Sequence, residues 1–166
     1  MADRLTVAPP KLDLRPATPD DRDFLLSVYR STREDELALT GWNELEKAAF
    51  VSMQFEAQDR HYRQIHPDGS FLVVEVDGEP AGRLVLARLE REIRVVDIAL
   101  LPRYRGAGVG TRLLRNVIAE ADAGALQVTL HVEPWSPARR LYDRLGFRSA
   151  GMDGIYERME RPASVN

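Results

Sequence analysis

The chain has 166 residues, a length typical of one domain with its own hydrophobic core. Hydrophobic residues make up 44% of it and charged residues 30%, which is typical of a folded globular protein rather than a disordered one. The formal net charge of −3 gives no reason to expect nucleic acid as a partner. Cysteine is absent, which excludes disulfides, thiolate ligands and a cysteine nucleophile. The same absence fits a reducing cytoplasm, where we expect the protein to be located.

Neither a membrane nor a metal is an expected partner. No apolar stretch approaches the length of a helix that spans a bilayer. His61 and His66 lie in a polar stretch without a carboxylate at metal-ligand spacing, so a zinc site is not expected.

The first part of the chain predicts a leader, a strand and a helix. Residues 1–11 have little pattern and are expected to form a flexible leader, followed by a single domain over residues 12–161 and a tail over 162–166. Leu12–Arg15 alternates as a short strand does. Thr18, with the proline and acids that follow it, predicts a helix start, because a hydroxyl caps the first turn and the helix dipole favours acids there.

A second helix is predicted from Asn43. Glu46 stands three residues later, as in a capping box. Phe50, Met53 and Ala57 then follow at helical spacing, and we expect them to face the core.

The middle of the chain predicts three strands. Phe71–Val76 and Ala81–Arg88 are separated by an Asp-Gly pair, which is typical of a hairpin turn. Ile93–Leu101 follows as a third strand, apolar except for Arg94 and Asp97.

The last part of the chain alternates helices and strands. A glycine-rich loop leads into a helix over about 108–123, and Leu126–Glu133 follows as a strand. Ser136–Leu145 is predicted as a helix with serine at its N-cap, and Ile155–Glu160 as a last strand. The order of elements mixes hairpins with crossover helices. It predicts an α/β (α+β) fold, a mixed, twisted sheet of six to seven strands flanked by helices on both faces.

The strongest chemical signal is the loop Arg105-Gly106-Ala107-Gly108-Val109-Gly110-Thr111. Glycines let a ligand approach the backbone closely, and the helix N-terminus after the loop favours an anion, so pyrophosphate binding is predicted. A Walker P-loop is excluded because the loop has no lysine, and the loop also lacks the Rossmann spacing G-x-G-x-x-G. On the loop alone, a glycine-rich turn without a ligand remains the alternative.

Two segments together resemble the GNAT N-acetyltransferase superfamily. Residues 97–111 are similar to the family's fourth strand and its R/Q-x-x-G-x-G/A loop, and residues 136–147 to its second cofactor segment, N-P-x-A-x-x-L-Y-x-x-x-G-F. The sequence departs from the family where Ser136 stands in place of Asn, and a serine hydroxyl would replace the amide. The loop motif positions are Arg105, Gly108 and Gly110.

The resemblance implies acetyl-CoA as cosubstrate and no metal. It assigns the pantetheine arm to backbone groups of the strand before the loop, and the pyrophosphate to backbone N–H groups of the loop. The cofactor-binding residues implied are Ile98, Ala99, Leu100, Arg105, Gly106, Ala107, Gly108, Val109, Gly110, Thr111, Ser136, Arg139 and Tyr142.

Tyr142 stands where many family members keep a general acid. Its phenol, with an unperturbed pKa of about 10, would stay protonated and give its proton to the leaving coenzyme A thiolate. The alternative is a core tyrosine, because Tyr142 belongs to an apolar helical stripe with Ala138, Leu141 and Leu145.

Three residues are candidates for the base that takes a proton from the acceptor ammonium. Asp97 is a lone acid in an apolar strand, where an unpaired carboxylate is costly; the alternative is a structural aspartate satisfied by backbone or an arginine. His131 and Glu133 lie near the C-terminal end of their strand, where open α/β sheets bind ligands. Ordinary surface positions are the alternative for both.

The acceptor side is expected at the first two helices and the loop between them. Its candidate residues are Arg33, Glu34, Asp35, Glu36, Trp42, Phe50, Met53, His61 and Tyr62. Three functions stay open: acetyl transfer to a small amine by direct attack in a ternary complex, which we favour, transfer to a protein N-terminus or lysine, and acyl-CoA binding without catalysis. The sequence also leaves open whether the chain forms a homodimer.

Overall fold

A seven-stranded sheet lies at the centre of the computed structural model, which describes residues 7–164. The strands are β1 (Leu12–Pro16), β2 (Ser70–Val76), β3 (Glu79–Arg88), β4 (Glu92–Leu100), β5 (Gln127–Val132), β6 (Arg148–Asp153) and β7 (Tyr156–Arg161). Their order in the sheet is β1-β2-β3-β4-β5-β7-β6. β4 and β5 are parallel and all other neighbours are antiparallel, so the predicted mixed sheet is confirmed.

Helices cover both faces of this sheet. They are α1 (Arg22–Ser31), α2 (Glu34–Ala38), α3 (Glu44–Ile65), α4 (Val109–Ala123) and α5 (Ala138–Arg144). On one face Leu25 of α1, Phe55 of α3 and Val73 of β2 are buried together. Val74 points to the opposite face, because neighbouring strand residues alternate, and it joins the larger core formed with α4 and α5.

The starts of α1 and α3 follow from local side-chain chemistry. A 3-10 turn at Pro19–Asp21 precedes α1, and the Asp21 carboxylate accepts from the Thr18 N–H at 2.8 Å and from both terminal nitrogens of Arg15 at 2.8 Å. These bonds lower the pKa of Asp21 to about 2, and the bonds from Arg15 have the largest effect. At α3 the predicted capping box is confirmed, with the two reciprocal bonds between Asn43 and Glu46 both 2.9 Å long.

The buried side of α3 differs from the predicted one. Val51 and Phe55 are buried, whereas Met53 is 58% exposed and Ala57 is exposed, so that prediction was wrong. Apolar residues occupy two sides of this helix, and packing against α1 and β2 selects the side that carries Phe55. Phe50 instead packs on Trp42, with ring centroids 5.0 Å apart.

The central parallel pair opens into a gap. β4 and β5 pair only from Glu92 with Gln127 to Val95 with Leu130. Beyond Val95, β4 stays paired with β3 as far as Leu100, after an irregularity that leaves Val96 without a partner. The two strands therefore separate toward their C-terminal ends.

Two elements were not located from the sequence. α2 has five residues, too few to show a period, and β6 is an edge strand whose six residues are all exposed. At the ends, the Pro10 carbonyl accepts from Arg112 at 2.6 Å and the Ser164 N–H donates to Asp122 at 2.9 Å. The expected domain limits stay predictions, and residues 1–6 and 165–166 of the leader and tail lie outside the described residues. Within residues 7–164, no helix has both the length and the hydropathy needed to cross a bilayer.

Candidate active site

The gap between β4 and β5 opens into a cavity of about 850 Å³. α1 and α3 contribute to its walls together with the ends of both strands. All four residues that the sequence singled out for proton transfer line it: Tyr142, Asp97, His131 and Glu133. Ser136, Ile98 and Ala99 line it as well. The fold thus brings together candidates that lie on three different elements.

The glycine-rich loop lies just beyond the end of β4 and leads into α4. Gly106 and Gly108 have φ of +72° and +83°, a region that favours glycine, and a Cβ at either position would meet nothing within 4 Å. Gly108 is the N-cap of α4, which has no side-chain cap and no acid in its first turn. The first N–H groups of α4 are therefore free of such partners, an arrangement that fits a phosphate group.

Arg105 fastens this loop to its surroundings. Its Nε donates to the Leu100 carbonyl at 2.8 Å, and its Nη2 donates to the Ser31 hydroxyl at 3.1 Å. Gly110 differs from the other two glycines, because its φ is not positive and a Cβ there would make ordinary van der Waals contact, 3.8 Å from Leu141 of α5.

The last residues of β4 present to the gap a backbone edge that no strand covers, and on it the Leu100 carbonyl already accepts from Arg105. Ile98, Ala99 and Leu100 pair with β3 on one side and have no partner in β5 on the other. Gly82 of β3 fixes this segment from behind, since a Cβ there would lie 2.3 Å from the Ala99 carbonyl oxygen. The edge is suited to a ligand that hydrogen-bonds with backbone groups.

Tyr142 is packed in the core and also lines the cavity, and its role as the acid stays a prediction. Its ring is buried and packs edge-on against Phe147, with centroids 5.8 Å apart. Its hydroxyl makes no hydrogen bond with any of residues 7–164, yet the residue lines the cavity. Burial first, and the charge of Asp97 second, raise the pKa of Tyr142 to about 12. The phenol is therefore a protonated donor at neutral pH.

The start of α5 differs slightly from the predicted one. The helix begins at Ala138 rather than Ser136, although the Ser136 hydroxyl does accept from the Ala138 N–H at 3.3 Å. The proton of the Ser136 hydroxyl remains available to a cofactor.

Arg139 of α5 is held within the protein, because two of its nitrogens each donate to Glu157 of β7 at 2.9 Å. These bonds lower the pKa of Glu157 to about 2, so the Arg139 guanidinium is engaged within the protein.

Asp97 is the deepest of the three base candidates. Burial raises its pKa, while Arg83, the Ile98 N–H and Arg33 act in the opposite direction. The nearest Arg83 nitrogen is 3.9 Å from the carboxylate. An arginine and a backbone N–H thus favour the ionised form of Asp97, which also faces the cavity, and its role as a base stays a prediction.

His131 and Glu133 lie nearer the mouth of the gap, on and just after β5. His131 is exposed, and its Nε2 lies 3.0 Å from the Asp153 carboxylate of β6. Glu133 is half-buried, and its backbone carbonyl accepts from the Ser136 N–H at 2.9 Å. The pairing of His131 with Asp153 could not be anticipated, since β6 itself was not located.

The acceptor side is formed by part of the predicted set. Arg33, Glu36, His61 and Tyr62 line the cavity, whereas Glu34, Asp35, Trp42, Phe50 and Met53 do not. Sequence reasoning missed several further lining residues, which carry no motif: Tyr29, Gln58, Arg83, Asp153 and Tyr156. The side-chain oxygen of Gln58 is buried without a hydrogen-bond partner among the described residues.

A family model decides how this geometry is classified. The model of the acetyltransferase (GNAT) family matches residues 35–147, more than half of the chain. The chain belongs to the GNAT family. It is therefore a GNAT-type acyltransferase, and the matched residues include β4, the glycine-rich loop and α5.

Two curated relatives are similar over part of their length. A Bacillus subtilis protein assigned provisionally as a ribosomal protein bS18-alanine N-acetyltransferase is 30% identical over 68% of this chain and 76% of its own length. An N-alpha-acetyltransferase of Sulfurisphaera tokodaii is 35% identical over 49% of this chain and 58% of its own, so the match spans less than two thirds of that protein.

A solved structure shows that the GNAT fold extends over nearly the whole chain. The PaiA N-acetyltransferase of Thermoplasma acidophilum, crystallised in complex with coenzyme A, superposes with a TM-score of 0.68 at 19% identity. The match covers 92% of this chain and 99% of that one. The fold likeness is therefore longer than the segment that the GNAT family model matches.

Proposed function

We propose that this GNAT protein transfers the acetyl group of acetyl-CoA to a primary amine, by direct attack of the amine in a ternary complex. The observation that carries the proposal is the cavity in the gap, where the free Tyr142 hydroxyl and the Asp97 carboxylate face the same space. A proton donor and a proton acceptor are both needed for this reaction.

Acetyl-CoA would lie along the gap and over the start of α4. The free N–H groups at this helix N-terminus favour its pyrophosphate, and the open space at Gly106 and Gly108 admits it. The pantetheine arm would pair with the free edge of β4 at Ile98–Leu100, as a short extra strand does. Ser136 would donate its hydroxyl proton to this arm. Arg139 would contribute indirectly, by holding β7 against α5 through Glu157.

The transfer forms one bond and breaks one. The acceptor ammonium gives a proton to the base, and the free amine attacks the thioester carbonyl. The new C–N bond forms, the C–S bond breaks, and Tyr142 gives its proton to the departing thiolate. The nitrogen then loses its second proton, which restores Tyr142 directly or through water. The products are an acetamide, coenzyme A as a thiol, and one proton bound to the base.

Asp97 is the base that we favour. It lies close enough to Tyr142 for its charge to affect the tyrosine hydroxyl, and burial raises its pKa above the ordinary value. A raised pKa makes a carboxylate a stronger base toward an ammonium. His131 and Glu133 stay as candidates, and both would act nearer the mouth of the cavity.

A small amine is the acceptor that we favour. A cavity of about 850 Å³ falls within the range of sites for small molecules, which is roughly 300 to 1,000 Å³. A protein N-terminus is the second candidate, since two relatives are named for acetylating an alanine of a ribosomal protein and an alpha-amino group.

A single assay tests the function and separates the acceptors. Release of the coenzyme A thiol is measured with acetyl-CoA and a panel of free amines, peptides with free N-termini, and peptides with a free lysine but a blocked N-terminus. Turnover with free amines supports the first proposal, and turnover with N-terminal peptides alone supports the second. If acetyl-CoA binds but no amine on the panel increases thiol release above the hydrolytic background, the proposed amine acceptors are wrong.

A further inference from the structure

A buried arginine that no motif predicts lies behind the cavity. Arg83 occupies the middle of β3, between Val73 of β2 and Ala99 of β4, and only 3% of its surface is exposed. Burying a guanidinium is costly unless other charges and hydrogen bonds compensate for the loss of water. The position is therefore expected to have a specific partner.

Two carboxylates, on different elements, serve as partners. Asp59 of α3 accepts a hydrogen bond from Arg83, and Asp97 of β4 lies 3.9 Å from its other terminal nitrogen. The guanidinium also lies within 6.0 Å of the ring centroids of three aromatic residues: Phe55, Tyr62 and Phe71. These rings are close enough for cation–π interactions, which help to stabilise the buried charge.

Asp59 is itself held by a second arginine. Arg63, half exposed on α3, donates to Asp59 at 2.9 Å. Charges thus alternate in a row from the surface of α3 to the cavity: Arg63, Asp59, Arg83 and Asp97. The contact of Arg83 with Asp97 is longer than a hydrogen bond, so the Asp97 oxygens remain free to accept from a molecule in the cavity.

The charges around Asp97 come from several elements. Arg33 at the start of α2 and the Ile98 N–H of its own strand favour its ionised form, and its charge raises the pKa of Tyr62 of α3 and of Tyr142 of α5. His131 and Glu133, from the β5 side, share the cavity. Among these groups Arg83 is the strongest influence that favours the ionised carboxylate, and Arg33 is weaker and is paired with Glu36 at 3.1 Å.

We propose that Arg83 is a positioning residue for acyl transfer, which keeps Asp97 ionised and directed into the cavity. The inference rests on the proposed function in one respect, the role of Asp97 as the base. Its physical content, the effect of Arg83 on the Asp97 carboxylate, is independent of any reaction.

Carbon-13 NMR of the labelled Asp97 carboxyl measures that effect without catalysis. Removing the charge in Arg83→Met should raise the pKa of Asp97 by about 1 to 3 units, the usual influence of an opposite charge at this range. Arg83→Lys keeps the charge and should cause a smaller rise. Asp59→Asn leaves Arg83 without its competing carboxylate and should lower the pKa of Asp97 or leave it in place.

Activity gives the second readout. The acidic limb of the kcat/KM profile should move to higher pH in Arg83→Met by the same amount as the NMR midpoint. A purely structural Arg83 would lower the melting temperature and leave both midpoints where they are in the wild type. That result in folded Arg83→Met overturns the inference. If Arg83→Met does not fold, the inference is overturned when both midpoints are unchanged in Arg83→Lys and the pKa of Asp97 rises in Asp59→Asn.

Failure of the proposed function gives a different pattern. If Asp97→Asn retains the wild-type profile, Asp97 is not the base and Arg83 cannot position it for transfer, although the NMR titration still reports their coupling. If Asp97→Asn is inactive while the charge variants of Arg83 leave both midpoints unchanged, the proposed function stands and the role of Arg83 is wrong.

Discussion

Tyr142 of α5 and Asp97 of β4 face one cavity, and the charge of Asp97 adds to burial in raising the pKa of the Tyr142 hydroxyl to about 12. The two residues are 45 positions apart in the sequence. They line the same cavity because the sheet opens beyond Val95. The Tyr142 hydroxyl stays protonated at neutral pH. It can therefore act as the proton donor in a reaction in which the Asp97 carboxylate acts as the proton acceptor.

Replacing Tyr142 with Phe should lower turnover by roughly 10²- to 10⁴-fold and leave acetyl-CoA affinity nearly unchanged, since a positioned acid is lost while the ring packing on Phe147 is kept. Steady-state kinetics and a binding titration on the same variant check this. Tyr62→Phe is the matched comparison, because Tyr62 lines the acceptor side of the same cavity, and its loss should change the KM of the acceptor rather than the turnover. Near-normal turnover in Tyr142→Phe would remove the acid role.

Asp97→Asn should lower kcat/KM at least about a hundredfold and abolish its acidic limb. The sign follows from the direction of the shift. Burial raises the pKa of Asp97 above 3.8, so activity should rise with pH through a midpoint above that value as the base loses its proton. His131→Gln and Glu133→Gln, measured over the same pH range, should keep the limb. A limb that disappears in one of these two instead identifies that residue as the base.

Gly108→Ala should weaken acetyl-CoA binding at least about tenfold, because the added methyl group occupies the space over the start of α4. The change also strains the backbone, so a control with equal strain is needed. Gly78 has the same φ of +83°, lies in the β2–β3 turn and has nothing within 4 Å. Gly78→Ala should lose similar stability and keep the full rise in melting temperature on adding acetyl-CoA. Equal rises in both variants would contradict the loop assignment.

Gly82→Ala should destabilise the protein and weaken cofactor binding together. A Cβ at this position would lie 2.3 Å from the Ala99 carbonyl oxygen and 2.8 Å from a methyl group of Leu100, so the end of β4 must shift. Thermal unfolding with and without acetyl-CoA measures both effects. Gly41→Ala, where nothing lies within 4 Å and φ is not positive, should be close to neutral. Normal binding by Gly82→Ala would separate this segment from the cofactor site.

Asp21→Ala should lower the free energy of unfolding at pH 7 by about 1–3 kcal/mol, because a cap and a charged hydrogen-bond partner of Arg15 are lost. The pKa of Asp21 is lowered from 3.8 to about 2, so its contribution is complete above pH 3.8 and declines as the pH falls toward 2. Denaturant unfolding at several pH values measures the difference from wild type, with Asp20→Ala as the exposed neighbouring control. A difference that grows below pH 3.8 would contradict this account.

The parts of the fold and of the candidate site that the sequence predicted are those with a local cause. The loop at Arg105–Thr111 and the cap at Asn43 depend on residues within a few positions of each other, so glycine conformation and capping chemistry indicate them directly. The Tyr142 assignment came from the resemblance of its segment to the GNAT motif. Its position in the cavity needed the fold as well.

The parts that were missed depend on partners far away in the sequence. Arg139 looks available as part of a cofactor motif, and only the packing of β7 against α5 shows that Glu157 binds it. Arg83 is a charged residue within an apolar stretch of β3. Its carboxylate partners, Asp59 and Asp97, are 24 and 14 positions away in the sequence. The pattern of one strand carries no information about such pairs.

The missed and misjudged elements have a related cause. β6 is held at the edge of the sheet by backbone pairing with β7, and with every residue exposed it shows no alternation of apolar and polar side chains. α3 has apolar residues on two sides, so its period alone cannot indicate whether Met53 or Phe55 is buried. Only the neighbouring helix and strand decide this.

The short pairing of β4 with β5 also has a consequence for how the protein opens. Four residue pairs at the base of the gap join the sheet half β1–β4 to the half β5–β7. One hydrophobic core under α4 joins the two halves, so local opening is expected only at the unpaired C-terminal ends of β4 and β5. A molecule that bridges the gap would contact both halves, so amide hydrogens of Ile98–Leu100 and those of α5 should slow their exchange with solvent together when it binds. Cosubstrate binding would in this way join the two sides of the sheet where no strand pairing does so.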